Sequence, residues 1–184
     1  PSVAEHALYL MLELAKRGRA FHSMVAQHHW AERMQALPVD LFEKTVLIVG
    51  FGRIGSRLSK MCLGLNMRVT VCDPYVEASV IRAAGCHAAT DLDAALAEAD
   101  FVSINCPKTH ETTGMIAQAQ LARMKPTAYI VNTARGGIID ERALHTALSE
   151  GRIAGAGLDV FEREPPEQEN PLFPLPNVVL APHL

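Results

Sequence analysis

Residues 45–55 read TVLIVGFGRIG, an apolar run followed by glycines at 50, 52 and 55. A short β-branched run closed by glycine predicts a strand buried on both faces, and the G-x-G-x-x-G spacing predicts a tight turn into a helix beginning near Ile54. Each glycine has its own task there. Gly50 permits the sharp turn, Gly52 lets the backbone approach a pyrophosphate, and Gly55 allows helix and strand to pack closely. The helix N-terminus then faces the anion, with Arg53 and the backbone of Ile54 against the phosphates. Glycines at this spacing are a weak signal alone. Context strengthens them: the next strand, MRVTVCD over 67–73, ends on Asp73, at about the separation a dinucleotide-binding unit requires.

Outward from this unit the chain keeps alternating. A helix over 77–84, a short strand in CHAAT (86–90), a helix over 91–99 capped by Asp91 and a strand in DFVSINC (100–106) come next. A helix near 118–124, a strand in AYIVNT (128–133), a helix over 140–151 and strands in IAGAGLDV (153–160) and NVVLAP (177–182) complete the series. Strands that are apolar throughout, interleaved with helices, predict an α/β fold with a doubly wound parallel sheet covered on both faces.

Ahead of it, PSVAEHALYLMLELAKRG (1–18) predicts a helix with a Ser2–Glu5 capping box, basic Lys16 and Arg17 in the last turn, and Gly18 as its end. Val3, Ala7, Leu10 and Leu14 make one apolar stripe, and Ala4, Leu8, Met11 and Ala15 another. Two stripes call for two partners, the domain itself and either a second subunit or a further part of a larger single chain. From Phe21 to Glu43 the pattern is irregular and reads as an arm. Its His22, His28 and His29 lack the i, i+4 spacing and the framing carboxylates of a metal site, so no metal is expected. The chain thus divides into a helix and arm over 1–43, serving a dimer interface, and a dinucleotide-binding domain over 44–184.

Composition narrows the function. A formal net charge of -3 with 49% hydrophobic residues argues against nucleic acid as a partner. Four cysteines without close pairing suit reduced thiols in the cytoplasm. No apolar run approaches the ~20 residues of a membrane span, and no secretion signal opens the chain. It begins on Pro1 and ends just past His183, so both ends read as cut.

Asp73 favours NAD over NADP, since a carboxylate accepts hydrogen bonds from ribose hydroxyls and repels a 2′-phosphate. Hydride transfer to a ketone needs a fixed cation to orient an acid substrate and polarise its carbonyl, and a proton donor for the alkoxide that develops. NTARGGIID (132–140) sets Arg135 just past a strand, with a planar fork that matches a carboxylate. DVFEREP (159–165) supplies Asp159 and Glu164, and LAPHL (180–184) supplies His183.

SVAEH (2–6), VGFGRIG (49–55), VNTARGGIIDERAL (131–144), GLDVFEREP (157–165) and NPLFPLPNVVLAPH (170–183) together resemble the nucleotide-binding domain of the D-isomer-specific 2-hydroxyacid dehydrogenases, especially phosphoglycerate dehydrogenase-like members. The resemblance covers nearly the whole chain and implies a Rossmann-type NAD-binding domain whose second, substrate domain is absent from this chain. It implies that Arg135 holds the 2-oxo acid, that Glu164 bonds His183, and that His183 is the acid in reduction and the base in oxidation. Asp159 would lie near the nicotinamide carboxamide, with Pro107, Thr133 and Ala134 lining the cofactor cleft, and a homodimer would form through the first helix and arm. Many members carry Gly where this chain has Glu43 and Leu47, which puts the local turn in question. A different expectation, an NADH-sensing protein like the corepressor relatives of the family, is compatible with the same Arg, Glu and His.

Overall fold

The computed structural model describes residues 1–35 and 37–183; Ala36 in the arm and Leu184 at the end of the 44–184 unit lie outside the described residues. Among the described residues seven strands, β1 (Thr45–Val49), β2 (Arg68–Cys72), β3 (His87–Ala89), β4 (Phe101–Ile104), β5 (Tyr129–Asn132), β6 (Gly155–Leu158) and β7 (Val178–Leu180), form one sheet in the order β3-β2-β1-β4-β5-β6-β7. Every pairing is parallel. Around it lie α1 (Ser2–Lys16), α2 (Gly18–Ala26), α3 (Gly55–Gly64), α4 (Ala78–Ala83), α5 (Leu92–Glu98), α6 (Gln118–Leu121) and α7 (Glu141–Ser149).

The apolar strands follow from having helices on both faces. Val46 and Ile48 of β1 join a core with Leu10 and Leu14 of α1, Leu58 of α3 and Ile81 of α4. Leu47 and Val49 join the opposite core with Leu96 of α5 and Leu144 of α7. Successive side chains on a strand point to opposite faces, so with both faces buried Val46, Leu47, Ile48 and Val49 are all apolar. The predicted Asp91 cap is present, its carboxylate accepting from Ala94 N at 3.2 Å, and Asp140 caps α7 by accepting from Ala143 N at 2.8 Å. From β1 the chain builds outward to β3, then returns to lay β4 on the other side of β1. That reversal opens a crevice at the carboxyl ends of the strands.

Three local expectations are corrected. The Ser2–Glu5 capping box does not form: Pro1 takes the cap position, Ser2 is already helical, and Glu5 N donates to Pro1 O at 3.2 Å. A serine inside the helix cannot reach the N–H groups that a cap side chain serves. Arg17, with φ 54°, ends α1 in place of Gly18, which opens α2. A Cβ at Gly18 would stand 2.7 Å from Glu13 Oε2, the end of a side chain that accepts from Arg19 N at 2.8 Å. The arm is also more ordered than its pattern suggests, with α2 over Gly18–Ala26 and a 3-10 turn over Trp30–Met34. Phe21, Met24 and Val25 are its i, i+3, i+4 stripe, yet α2 buries none of its residues.

Both stripes of α1 are largely occupied at home, with Ala4, Ala7, Leu10, Met11, Leu14 and Ala15 all buried. Among the described residues no helix is long and apolar enough to cross a membrane.

Candidate cofactor cleft and active site

The strand ends are in register. Val49 pairs with Cys72 and Ile104, Ile104 with Asn132, and Asn132 with Leu158. The residues that follow therefore stand in one row along the carboxyl edge: Asp73, Gly50, Asn105, Thr133 and Asp159.

At Gly50 the backbone has φ +95°, and a Cβ would fall 2.7 Å from Cys106 N. One at Gly55 would fall 2.0 Å from Gly50 O, so helix α3 meets strand β1 backbone to backbone. At Gly52 none of the described residues lies within 4 Å of the Cβ position, leaving open space over the turn. Arg53 is exposed and Ile54 half-buried, and among the described residues no side chain caps α3. Asp73 is tied to this turn: its Oδ2 accepts from Phe51 N at 2.7 Å and its Oδ1 from Tyr75 N at 2.9 Å. A carboxylate oxygen has room for a second donor, so both remain able to accept from a ribose.

Beyond β1 the edge holds polar atoms that want partners. Among the described residues the buried side-chain atoms lacking a hydrogen bond are Asn105 Oδ1, Thr133 Oγ1 and His6 Nε2. Asn105 and Thr133 follow β4 and β5, and His6 reaches Asp159 after β6, with Nε2 3.5 Å from Oδ1. An unsatisfied buried polar group costs about 1–3 kcal/mol. Three along one edge, with open space over Gly52, fit a polar ligand laid across the strand ends. Asn105 and His6 were not legible as site residues; the available signal for Asn105 was a polar residue closing an apolar strand. Pro107, in the loop after β4, is exposed, and its carbonyl accepts from the Thr112 hydroxyl at 2.7 Å.

The loop after β5 is folded by Asn132, whose Oδ1 accepts from Ala134 N and whose Nδ2 donates to Arg135 O, each at 3.0 Å. Ala134 is half-buried and Arg135 exposed, its Nη1 donating to Ala134 O at 2.6 Å. Gly136 lets this loop press on the one after β6, since a Cβ there would lie 1.7 Å from Phe161 O. A reciprocal brace holds the second loop: Glu162 Oε1 accepts from Glu141 N at 2.8 Å, and Glu141 Oε1 accepts from Glu162 N at 2.5 Å.

On that loop Glu164 Oε1 accepts from Phe161 N at 3.0 Å, and Oε2 meets His183 Nδ1 at 2.7 Å. The bond from Phe161 N is the main reason that the Glu164 carboxyl sits below the usual carboxylate range; burial opposes it, and the His183 bond and the His183 and Arg135 charges add to the lowering. Glu164 is therefore ionised near neutral pH, and with Nδ1 engaged, Nε2 is the His183 nitrogen left for a substrate. A mainly apolar cavity of about 490 Å³, lined by Phe161, Pro165, Phe173 and Leu180, adjoins the pair.

A glycine turn between β1 and α3, an acid closing β2 and a crevice at the strand reversal define a dinucleotide-binding domain. A family model described as the D-isomer specific 2-hydroxyacid dehydrogenase, NAD binding domain, matches residues 8–184, and the chain belongs to that family. It is 40% identical over 183 residues to the D-3-phosphoglycerate dehydrogenase of Archaeoglobus fulgidus, covering 100% of this chain and 34% of that protein. It is 42% identical over 185 residues to the glyoxylate reductase of Korarchaeum cryptofilum, covering 99% of this chain and 55% of that protein. The crystal structure of D-lactate dehydrogenase from Aquifex aeolicus complexed with NAD and lactic acid superposes with a TM-score of 0.91 at 34% identity, covering 99% of this chain and 59% of that one. The chain thus spans about a third of the length of the phosphoglycerate dehydrogenase it matches.

Proposed function

We propose that the protein carrying this domain interconverts a 2-oxo acid and a D-2-hydroxy acid, in the manner of a phosphoglycerate dehydrogenase. The observation that carries this reading is the 2.7 Å contact of His183 Nδ1 with Glu164 Oε2, beside Arg135. NAD, when bound, supplies or accepts the hydride. Gly50, Gly52, Arg53, Ile54 and Gly55 hold its pyrophosphate, Asp73 its adenosine ribose, and Pro107, Thr133, Ala134, Arg135, Asp159 and His183 line its other half, with Asp159 accepting from the carboxamide.

This chain's own residues then do three things. The Arg135 guanidinium pairs with the substrate carboxylate and draws electron density from the carbonyl beside it. His183 Nε2 gives its proton to the carbonyl oxygen as that oxygen gains charge, and takes the hydroxyl proton back in oxidation. Glu164 orients the ring through Nδ1 and offsets the charge of the imidazolium. In the protein with its substrate domain, His183→Asn should lower kcat ~10²-fold or more while NADH affinity stays within about 2-fold. Retained turnover would overturn the assignment. None of the relatives described above is named as a corepressor, and that alternative has no support in them.

A homodimer belongs to the same proposal. The arm carries exposed Val25 (53%), Trp30 (60%), Met34 (66%), Leu37 (61%) and Phe42 (59%), and apolar exposure on this scale suits contact with a second copy. Sedimentation showing only monomer would contradict it. A cytoplasmic setting accords with cysteines that are all free.

A further inference from the structure

A second imidazole–carboxylate pair stands at the same edge. His6, in the second turn of α1, has its ring stacked on Tyr9 at 5.8 Å between centroids and 25° between planes. Its Nε2 is buried, makes no regular hydrogen bond and lies 3.5 Å from Asp159 Oδ1. Asp159 is only 1% exposed. A ring nitrogen facing a carboxylate carries its proton there, because two acceptors would repel. Contacts of this kind are commonly long before a ligand is bound and tighten in the complex.

The strand order shows what the pair faces. With one nucleotide half at Asp73 beyond β2 and the pyrophosphate at the turn after β1, the other half extends over β4, β5 and β6. At ~4.8 Å per strand, β6 is about 14 Å from β1. A carboxylate there suits an amide N–H, and it recognises one only if its oxygens are prevented from turning. We infer that His6 is a positioning residue for the nicotinamide end of the cofactor, its Nε2–H fixing the Asp159 carboxylate to accept from the carboxamide. The inference rests on the part given to Asp159 under Proposed function.

NAD and ADP-ribose differ only by nicotinamide, so the ratio of their dissociation constants isolates that end. Calorimetric titration of both ligands into this chain, its His6→Phe, His6→Gln and Asp159→Asn variants provides the test. His6→Phe and Asp159→Asn should each reduce the preference for NAD by about 5-fold, a typical worth of one hydrogen bond, with ADP-ribose affinity within about 2-fold of the parent. His6→Gln, which keeps an N–H donor, should recover most of the preference. If Asp159→Asn lowers the ratio and His6→Phe does not, His6 has no such role. If His6→Phe weakens both ligands alike, or His6→Gln recovers nothing, its role is structural and the inference is wrong. If neither His6→Phe nor Asp159→Asn changes the ratio, the part given to Asp159 fails and takes the inference with it.

Discussion

Asp73 offers the sharpest test of how the cleft chooses its cofactor. NADPH would bring a 2′-phosphate carrying about two negative charges to the ribose position. A unit charge pair at ~4 Å is worth about 1 kcal/mol in water and about 4 kcal/mol at the effective dielectric of a protein surface, so two phosphate charges oppose binding by roughly 2–8 kcal/mol. Asp73 is half-buried, which places it between these limits. Even the lower end exceeds the ~1.4 kcal/mol of a tenfold preference, so NADH should bind at least ~10-fold tighter than NADPH. The choice of variant matters, because the same carboxylate accepts from Phe51 N at 2.7 Å and from Tyr75 N at 2.9 Å. Alanine would release the glycine turn and weaken both cofactors together. Asp73→Asn removes the charge and keeps a carbonyl oxygen for the turn, so it should bring the preference below about 3-fold, mainly by tighter NADPH binding. Nicotinamide fluorescence titrations at one fixed ionic strength read both constants, salt being held constant because it screens the repulsion over ~8 Å. Equal affinities in the parent chain, or an unchanged ratio in Asp73→Asn, would refute the reasoning.

The glycines make a paired prediction: Gly55→Ala places a Cβ 2.0 Å from Gly50 O and should cost about 1–3 kcal/mol in urea unfolding. Gly52→Ala meets nothing within 4 Å and should leave stability within about 0.5 kcal/mol while raising the NADH dissociation constant ~10-fold; an unchanged constant would remove the pyrophosphate from this turn. At the opposite edge of the sheet, burial tends to raise the Asp100 carboxyl, but the bonds from Thr45 N at 2.9 Å and Lys125 Nζ at 3.0 Å, with the Lys44 charge, hold it below the usual range. A depressed folded value means stability that is present above the unfolded value of about 3.9 and lost as pH falls through the folded one, so Asp100→Asn should cost ~1 kcal/mol at pH 7, after allowing for solvent screening, and progressively less in acid; a constant deficit would contradict this. Glu43 has φ 58°, a conformation costing an ordinary residue about 1–2 kcal/mol, of which the greater backbone entropy of glycine offsets about 0.5–1. Glu43→Gly should therefore stabilise by ~0.5–1 kcal/mol, and a lower thermal midpoint would show that the side chain matters more than the backbone.

What the sequence displays is what depends on residue type at one place. Gly50 and Gly55 are demanded by backbone atoms 2.7 and 2.0 Å from where a Cβ would be, and no other residue satisfies that demand, so the turn is visible in the letters. The β1 side chains are apolar because both faces are buried, which also shows locally. His6 was hidden because its partner lies 153 positions away and the two meet only once α1 crosses the end of β6. Ser2 misled for the opposite reason: S-x-x-E is satisfied in the sequence, while a one-residue shift of the helix start hands the cap position to Pro1. Pairing of Glu164 with His183 followed from resemblance; neither residue's type nor its spacing could have joined two groups on different loops.

The register of the strand ends separates the site into two kinds of construction. Asp73, Gly50, Asn105, Thr133 and Asp159 each follow directly on a strand, and the aligned pairs Val49–Cys72, Val49–Ile104, Ile104–Asn132 and Asn132–Leu158 fix their row as part of the sheet. A one-residue slip in any strand would reverse the face of its end residue and expose a core side chain, so the burial that stabilises the fold also preserves the row. Glu164 and His183 lie outside it, on loops whose positions rest on the Glu141–Glu162 brace, the Phe161 N bond and the close passage at Gly136. On the proposed function, cofactor binding would thus be attached to the sheet itself and proton transfer to loops that a few hydrogen bonds hold. Loss of the brace should therefore disturb the His183–Glu164 pair before it disturbs the cofactor row.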